Sequence, residues 1–346
     1  LLSRLTFLKF LVRFIEYRIF YEKAYQPYFD KYEPSAVFAT SIVTQLDIDF
    51  MKEARRRGIP TIAMPKGWDN VTKLFYHFVP DTLLVQTERM REPIVEVQRV
   101  PKEQIVVTGF PQFDFYAKPD LLSREQFFAT LGLDPKSKLI FFGSEGAWAP
   151  EDVGLAEWLT EFVKDPNDKR SLVIRPHYSD VTKNKFDRFT GLPNVFVDRT
   201  FRVSTFFIDN WDPGMDQVRY LTNLLYHCDV LVTVASTLSL DAVCFNKPII
   251  NVAFGVLKNK KTGEDLSGRL YEAEHYRWVL ETGGVDLVRS WNELDVSLRA
   301  YLKNPNRHGE EREALRGLLW KFDGKSTERV ARQIIDDAKR SDPGNG

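Results

Sequence analysis

The chain has 346 residues, which is enough for two domains of ordinary size that each bury a core. Its composition is typical of a globular protein, with 43% hydrophobic and 28% charged residues, and its 48 Lys and Arg balance its 48 Asp and Glu. A neutral chain has no overall field to attract nucleic acid, so these values argue against a DNA- or RNA-binding protein.

The two cysteines, Cys228 and Cys244, lie in apolar segments, and neither belongs to a pair with metal-ligand spacing. We expect both to be reduced core residues of a cytoplasmic protein. No apolar run is long enough to span a bilayer, and no secretory signal is present. The first residue is Leu1 rather than Met, so the chain is expected to be a trimmed version of a longer one.

The first predicted element is one long helix from about Leu2 to Phe29, because its apolar residues recur at helical spacing. Its basic and aromatic residues are interleaved: Arg4, Phe7, Lys9, Phe10, Arg13, Phe14, Tyr17 and Arg18. One interpretation is a helix that lies on an anionic membrane surface. The other is a helix that packs its apolar face on the core and leaves its charges in solvent, and we favour this second interpretation.

Short apolar runs then alternate with helical segments. Strands are predicted at Ala36–Thr40, Thr61–Met64, Thr82–Gln86 and Ile105–Thr108, with helices near Asp49–Arg57 and Glu88–Arg99. Strands that alternate with helices predict a parallel sheet covered on both faces. The pattern breaks over about Leu121–Lys138, so the first domain is predicted to cover residues 1–132.

A second α/β series follows in residues 133–322, and residues 323–346 contain a final helix near Thr327–Lys339. The predicted strands are Leu139–Gly143, Leu172–Arg175, Val195–Val197, Val230–Val234 and Ile249–Val252. The predicted helices lie near Asp152–Val163, Met215–His227, Leu238–Phe245 and Trp291–Leu302. The expected fold is α/β, with two Rossmann-like domains that face each other across a cleft and bind ligands beyond the carboxyl ends of their strands.

The strongest local signal is a buried strand, a small-residue turn and a helix between Asp229 and Asp241. Ser236 and Thr237 lie where the helix begins, and hydroxyls and N–H groups at a helix start suit a diphosphate. Asp241 lies one turn further along and is placed to hydrogen-bond a ribose or sugar hydroxyl. The alternative is a simple Ser/Thr cap on a packed helix.

Two further segments of the second domain follow strands. Arg175 and His177 end one strand and are expected to point into the cleft, where an Arg fork matches phosphate and a His can donate to the leaving group. A structural His is the alternative. Gly143 and Ser144 follow another strand, and a glycine there lets the backbone approach a ligand closely. The segment is not a G-x-G-x-x-G fingerprint, so nicotinamide binding is not supported.

In the first domain, the segment Lys66-Gly67-Trp68-Asp69-Asn70 follows a strand. Asp69 could act as the base that deprotonates an acceptor hydroxyl. The alternative is an Asx turn, in which Asp69 and Asn70 bond their own backbone, and on chemistry alone the turn is favoured.

Two short motifs are set aside. Asp47-Ile48-Asp49 matches a D-x-D metal motif, but it precedes a predicted helix, where acidic residues favour the helix dipole. Gly324-Lys325-Ser326-Thr327 looks like the end of a P-loop, but Leu319 stands where the first glycine of that motif belongs. We therefore predict no metal site, and we interpret Ser326 as a helix cap.

Together these segments resemble bacterial surface-polysaccharide glycosyltransferases of the GT-B fold, in the broad group that includes the CDP-glycerol glycerophosphotransferases and the UDP-N-acetylglucosamine 2-epimerases. The likeness covers about Tyr32 to the end of the chain. The motifs that carry it are Gly67-Trp68-Asp69-Asn70, Val107-Thr108-Gly109-Phe110-Pro111-Gln112-Phe113-Asp114, Arg175-Pro176-His177, Ala235-Ser236-Thr237 with Asp241, and Asp323-Gly324-Lys325-Ser326.

The resemblance implies transfer of a sugar or polyol phosphate from a nucleotide-activated donor to a glycan or lipid-linked glycan acceptor. From the residues themselves we expect no cofactor, no essential metal, and a cytoplasmic location at the inner membrane surface. The implied donor-binding residues are Ser144, Arg175, His177, Ser236, Thr237 and Asp241, with Trp68, Asp69 and Asn70 on the acceptor side and Asp69 and His177 as the catalytic pair.

Two departures from the family pattern are visible. Many relatives have Glu where Asp241 stands, which affects the contact to the donor sugar. Relatives begin with a strand before the long helix, and its absence here implies a missing N-terminal portion. An epimerase that uses the same donor site, and a non-catalytic nucleotide- or glycan-binding module, are the alternative functions.

Overall fold

The computed structural model describes residues 6–20, 22–165, 168–180, 184–199 and 214–340. The chain divides into two compact units, one formed by Leu1–Asp114 with Leu318–Gly346 and the other by Phe115–Gly317. The sequence analysis placed the boundary after residue 132 and set the last helix apart. In the structure the division falls after Asp114, and the last helix belongs to the first unit.

The first unit is built on a four-stranded parallel sheet in the order β1-β2-β3-β4. Its elements are α1 (Thr6–Ile19), α2 (Gln26–Tyr32), β1 (Val37–Ala39), α3 (Gln45–Arg56), β2 (Thr61–Ala63), α4 (Asn70–Lys73), β3 (Thr82–Val85), α5 (Arg91–Pro93), β4 (Ile105–Val107) and α14 (Ser326–Arg340). Val330 of α14 packs on the sheet residues Ile62, Met64 and Leu84, which explains why this distant helix completes the first unit.

The predicted helix Leu2–Phe29 is wrong as a single element, because the described residues form two helices, α1 and α2, with non-helical chain between them. Pro27 lies in the first turn of α2, where its missing N–H costs nothing, whereas inside a continuous helix it would remove a hydrogen bond. The predicted start at Leu2 lies outside the described residues.

The favoured placement of α1 against the core is also wrong. Phe7, Phe10 and Phe14 are 76%, 53% and 58% exposed, and no described side chain of α1 is buried. The helix is attached to the unit through its polar side chains, such as Arg13, whose guanidinium donates to the carbonyls of Tyr76 and Gln98.

The predicted helix Glu88–Arg99 forms as three short pieces: a 3₁₀ turn at Glu88–Met90, α5, and a π-helical turn at Ile94–Gln98. Pro93 has no N–H to donate to the preceding turn, which accounts for the break in regular geometry at this point.

The second unit is built on a six-stranded parallel sheet in the order β10-β9-β8-β5-β6-β7. Its elements are α6 (Asp114–Ala117), α7 (Arg124–Leu131), β5 (Lys138–Gly143), α8 (Val153–Phe162), β6 (Arg170–Arg175), β7 (Val195–Val197), α9 (Met215–His227), β8 (Val230–Thr233), α10 (Leu238–Val243), β9 (Ile249–Val252), α11 (Glu274–Glu281), β10 (Asp286–Val288), α12 (Trp291–Lys303) and α13 (Gly309–Gly317).

The strands of this sheet are buried on both faces. Phe141, Leu172, Leu231 and Ile250 are fully buried, as expected for parallel strands covered by helices on both sides. The five strands predicted in this region are present. The sequence analysis missed β10, a three-residue edge strand, and the helices α11 and α13.

The strand order reverses between β5 and β8. From β5 the chain moves outward through β6 and β7, and it then returns to β8 on the other side and continues to β9 and β10. Neighbouring strands whose connections leave in opposite directions open a crevice at their carboxyl ends, and this switch point is where open α/β sheets bind ligands. The fold therefore predicts a ligand site at the loops after β5 and β8.

In the described part of the chain, no helix is long and apolar enough to cross a membrane. Cys228 and Cys244 are both free and buried, as predicted.

Candidate functional site

The loops at the switch point are brought close together by a glycine. A side chain on Gly143, at the end of β5, would come within 2.4 Å of Leu238 Cδ1 in α10. The hydroxyl of Thr233, at the end of β8, donates to the Gly143 carbonyl at 2.9 Å. The carboxyl ends of β5 and β8 are thereby fixed side by side, as the crevice requires.

His177 follows β6 beside this crevice and is half-buried. The backbone N–H of Ser179 donates to His177 Nδ1 at 3.2 Å, and the Ser179 hydroxyl lies 2.9 Å from the same nitrogen. Because a backbone N–H can only donate, Nδ1 is the acceptor, and the proton of the neutral ring is assigned to Nε2. His177 is therefore oriented to donate from Nε2, as the sequence analysis requires of it.

The loop after β5 is joined to the loop that holds His177. Ala147 N donates to Ser179 Oγ at 3.3 Å, and Gly146 has a φ of +60°. A Cβ at Gly146 would approach Ser179 Oγ to 2.2 Å and His177 Nδ1 to 2.7 Å, so only glycine fits. This is the physical reason for the second glycine of Gly143-Ser144-Glu145-Gly146.

Two exposed aromatic side chains lie on these same loops. Trp148 is 68% exposed, Tyr178 is 37% exposed, and the ring of Tyr178 lies 4.1 Å from that of His177, centroid to centroid. A tryptophan in the loop that follows a predicted buried strand was a signal available in the sequence. We now add Trp148, Tyr178 and the positioning residue Ser179 to the candidate site.

Ser144 does not face this site. It is 3% exposed, and its hydroxyl lies 2.9 Å from Asp152 Oδ2 and 2.7 Å from Asp180 Oδ2. Lys185 pairs with Asp152 at 2.5 Å, and burial raises the pKa of Asp152 while Lys185 lowers it. This buried network holds the loop after β5, so Ser144 has a structural role where the sequence analysis expected a ligand contact.

Arg175 is likewise turned into the protein. It is 7% exposed, and its guanidinium forms an ion pair with the fully buried side chain of Asp198. Arg175 was expected to project beyond the strand end toward a phosphate. It does not, because the carboxylate of Asp198 after β7 binds the guanidinium. Two charges buried side by side and paired are stable, whereas one alone is costly.

Asp241 is buried in α10 beside the phenol of Tyr116, which donates to Asp241 Oδ1 at 2.8 Å. Burial raises the pKa of Asp241 to about 7, although the hydrogen bond from Tyr116 and the charge of Arg175 act in the opposite direction. The Asp241 carboxylate is therefore bound inside the protein, and the residue is 7% exposed.

Ser236 and Thr237 remain half-exposed at the carboxyl end of β8. The Ser236 hydroxyl accepts a long hydrogen bond of 3.4 Å from Leu238 N, and Thr237 makes no side-chain cap bond. The helix α10 has only six residues, so its dipole contributes less than the sequence analysis assumed. The hydroxyls, rather than the helix, are the groups offered to a ligand.

In the first unit, Trp68, Asp69 and Asn70 form a tight turn after β2. Trp68 is 4% exposed, and Asn70 Oδ1 accepts from Gly67 N at 3.2 Å, a bond that reaches back three residues, whereas an Asx turn bonds to the N–H two residues further on. The carboxylate of Asp69 pairs with Lys73 at 2.6 Å. Asn70 therefore shapes the turn, and the half-exposed Asp69 carboxylate is held by Lys73.

The D-x-D motif lies in the first turns of α3. Asp49 is 9% exposed and accepts from Gln45 at 2.9 Å, and burial raises the pKa of Asp47. Among the residues that the structure describes, no three His, Cys, Asp or Glu side chains are grouped as metal ligands.

The interpretation of Ser326 as a cap is wrong in detail. Ser326 begins α14, and its N–H and that of Thr327 donate to the two carboxylate oxygens of Asp114 at 2.9 and 2.7 Å. The cap is therefore Asp114. Gly109, with a φ of +95°, lies so close that a Cβ there would meet Ser326 Oγ at 2.4 Å. Two motifs that lie far apart in the sequence thus meet in the first unit.

The chain matches no protein-family model and no curated protein sequence. Its structure is similar to the UDP-GlcNAc 2-epimerase from Neisseria meningitidis bound to UDP-GlcNAc, with a TM-score of 0.59, 14% identity, and 90% of this chain and 78% of that chain covered. It is also similar to the UDP-GlcNAc 2-epimerase from Methanocaldococcus jannaschii, with a TM-score of 0.55, 14% identity, and coverage of 90% and 79%.

A variant of the wall teichoic acid polymerase TagF is similar over nearly its whole length, with a TM-score of 0.56, 12% identity, and 96% of this chain and 98% of that chain covered. Identities this low show the fold and not the activity. The chain therefore has the α/β fold of these GT-B enzymes, with two parallel sheets in separate domains.

Proposed function

We propose that this protein is a metal-independent GT-B glycosyltransferase that moves a sugar or polyol phosphate from a nucleotide-activated donor to a surface glycan acceptor. The observation that carries the proposal is the strand reversal between β5 and β8, because it opens a crevice beside His177, Ser236 and Thr237. Similarity to proteins that are named for UDP-GlcNAc and for wall teichoic acid supports the donor class.

Within this proposal, three half-exposed side chains contact the donor diphosphate. His177 donates from Nε2 to a phosphate oxygen or to the leaving group, and the hydroxyls of Ser236 and Thr237 donate from the loop after β8. Such fixed donors stabilise the negative charge that develops on the leaving group, which is a nucleoside diphosphate in sugar transfer and a nucleoside monophosphate in polyol-phosphate transfer. Trp148 and Tyr178 offer aromatic faces on which a nucleotide base can stack.

The buried residues act indirectly. Ser144 holds the loop after β5 through Asp152 and Asp180, and Arg175 is placed by Asp198. Arg175 is a poor choice for a test variant, because its removal takes the counter-charge from buried Asp198 and costs about 3–5 kcal/mol of stability by itself. On the acceptor side, Asp69 is proposed as the base, in a turn that Trp68 and Asn70 shape.

The test of this proposal is a thermal-shift screen of the purified protein against nucleotides and nucleotide-sugars, followed by turnover assays with and without a glycan acceptor. A ligand at 100 times its Kd stabilises the native protein by about 2.7 kcal/mol, so the true donor raises the melting temperature measurably. We expect a nucleotide-activated donor to bind, and its sugar or polyol phosphate to be transferred only when an acceptor is present.

An epimerase is the second candidate, because two of the similar structures are UDP-GlcNAc 2-epimerases with TM-scores of 0.59 and 0.55. Donor turnover in the absence of any acceptor would favour it over transfer. Donor binding with no turnover under either condition would indicate a binding module, and no stabilisation by any nucleotide would contradict the proposal as a whole.

A further inference from the structure

The helix α1 (Thr6–Ile19) is attached to the first unit through its charged residues, which in most surface helices face solvent. Arg13 donates from Nε to the Tyr76 carbonyl at 2.8 Å and from NH2 to the Gln98 carbonyl at 2.7 Å, and Lys9 donates to the Val97 carbonyl. The carbonyls of Val97 and Gln98 lie at the end of the π-helical turn, where backbone acceptors lack helical partners.

Further polar contacts lie on the same side of the helix. Glu16 pairs with His77 at 2.8 Å, and Arg56 donates to the Tyr17 carbonyl at 2.5 Å. Lys9, Arg13 and Glu16 recur at spacings of four and three residues, so they share one face of α1. The charged face of the helix is therefore its attachment face.

The opposite face is apolar and exposed. Its members follow the spacing of a single helical stripe, with exposures of 76%, 53%, 38%, 58% and 39%: Phe7, Phe10, Leu11, Phe14 and Ile15. Phe20, just past the end of the helix, is 62% exposed. We call these five helical residues the α1 stripe. A soluble surface helix normally has the reverse polarity, with the apolar stripe inward.

The charges around the α1 stripe indicate which kind of surface the stripe binds. Residues 6–25 carry four cations against two anions, although the whole chain is neutral. Arg18 is exposed and lies over the Phe14 ring at 5.4 Å, in the middle of the stripe. Burial lowers the pKa of Lys9, and the nearby charges of Arg99 and Arg13 lower it further, so three cations lie close together at the attachment face of α1. An apolar, Phe-rich stripe in a positive field is complementary to an anionic lipid surface.

The length of α1 suits a helix that lies in the plane of a bilayer. A helix of 14 residues is about 21 Å long, too short to span a bilayer and suited to lie in its plane.

We propose that α1 is a membrane-surface helix, which docks on the protein through Lys9 and Arg13 and inserts the α1 stripe into the interface of an anionic bilayer. The proposal is independent of the donor chemistry. It places the first unit against the surface where a lipid-linked acceptor would lie.

The test is cosedimentation with vesicles of phosphatidylcholine alone or mixed with phosphatidylglycerol. The variant Phe7→Ser/Phe10→Ser/Phe14→Ser removes the aromatic part of the α1 stripe, and all three positions are exposed, so folding is expected to be retained. The control is Ile335→Ser, which removes a 52% exposed apolar side chain from α14 in the same unit.

We expect the unaltered protein and the control to bind the phosphatidylglycerol vesicles, and added salt to weaken that binding. The triple variant should bind about 10³-fold more weakly, since each of the three buried Phe side chains contributes a factor of about 10 or more. Equal binding by the triple variant, or no binding by the unaltered protein, would overturn the proposal. A dimer that the triple variant dissociates would overturn it too, in favour of a second copy.

Discussion

At the scale of single residues, the polar side chains of the second unit separate into a buried set and a half-exposed set. Ser144 and Arg175 are bound to carboxylates inside the protein, whereas His177, Ser236 and Thr237 stay accessible at the strand ends. A side chain whose bonding capacity is already used in a dry network cannot also bind a ligand without breaking that network. The half-exposed set therefore carries the proposed donor contacts.

Asp241 predicts a specific pH dependence of stability. Its pKa is raised by burial to about 7 in the fold, from about 3.9 in an unfolded chain. The protonated carboxyl of Asp241 stabilises the fold fully at pH values below the pKa of the unfolded chain. This stabilisation is lost as the pH rises toward the folded-state pKa of about 7. Asp241→Asn keeps the acceptor for Tyr116 but cannot ionise, so its stability should not show this loss.

The measurement is urea unfolding of both proteins at pH 4.5 and pH 8. Between these values the unaltered protein should lose about 3 kcal/mol relative to Asp241→Asn, at about 1.36 kcal/mol for each pH unit within the window. Parallel changes in the two proteins would show that Asp241 ionises normally in the fold. The groups closest to it, Tyr116, Arg175 and Cys244, stay unaltered in this comparison.

Asp69 gives a prediction about catalysis. If it is the base, Asp69→Asn should fold and bind donor normally but turn over about 10²-fold more slowly or worse, which is the usual share of a general base. The matched control is Lys73→Gln, which breaks the same 2.6 Å ion pair but keeps the carboxylate. Near-normal turnover by Asp69→Asn would reduce Asp69 to a turn residue, because Asn forms such turns equally well.

At the scale of elements, the attachment of α14 to the first unit depends on its capped first turn. Asp114 accepts from the N–H groups of Ser326 and Thr327, and Arg329 donates from Nε to the Thr108 carbonyl at 2.7 Å. Asp323 holds the same arginine through bonds of 2.9 and 3.1 Å. The two motifs that resemble family landmarks, around Gly109 and Gly324, thus lock a terminal helix to the loop after β4.

Asp114→Ala should lower the free energy of unfolding by about 1–2 kcal/mol, because it removes both the cap and a favourable charge at the start of α14. The control is Asp120→Ala, which removes an exposed carboxylate paired with Arg219 and should change stability by less than about 0.5 kcal/mol. Thermal or urea unfolding measures both variants. Equal stability of the two would show that α14 is held by its apolar face alone.

At the scale of the whole molecule, two parallel sheets in separate units carry different parts of the proposed reaction. The six-stranded sheet of the second unit has the reversal that opens a crevice, whereas the strands of the four-stranded sheet follow one another in order. The proposed donor contacts accordingly lie in the second unit, and the acceptor-side turn follows β2 of the first. The α1 stripe belongs to the first unit as well.

The chemistry of the molecule is predicted to need no metal. The carboxylates of the D-x-D motif lie in the first turns of α3, and Asp49 is nearly buried and bound by Gln45. Turnover should therefore be the same with and without a chelator such as EDTA. Loss of activity in the chelator, restored by manganese or magnesium, would mean that this motif or another carboxylate group binds a metal ion in the presence of substrate.

The sequence by itself determined nine of the ten strands that the structure describes, and the helices α3, α8, α9, α10, α12 and α14. Continuous apolar runs such as those around Phe141 and Leu231 predicted buried parallel strands, and their β-α-β-α order predicted the α/β fold. These signals are local, because the period of an element and the burial of its side chains are written into neighbouring residues. The loops after β5, β6 and β8 followed from the strands and were located correctly as chain segments.

Only the tertiary structure decided which way the polar side chains face. Arg175 binds Asp198, which follows the neighbouring strand β7, and Ser326 meets Asp114 across 212 residues, so no local pattern distinguishes a ligand contact from an internal ion pair or a cap. The same holds for α1, whose amphipathic pattern fixes two faces but not which of them is turned to the protein. That choice is made by the backbone carbonyls of Tyr76 and Gln98, which bind its arginine and leave its phenylalanines outside.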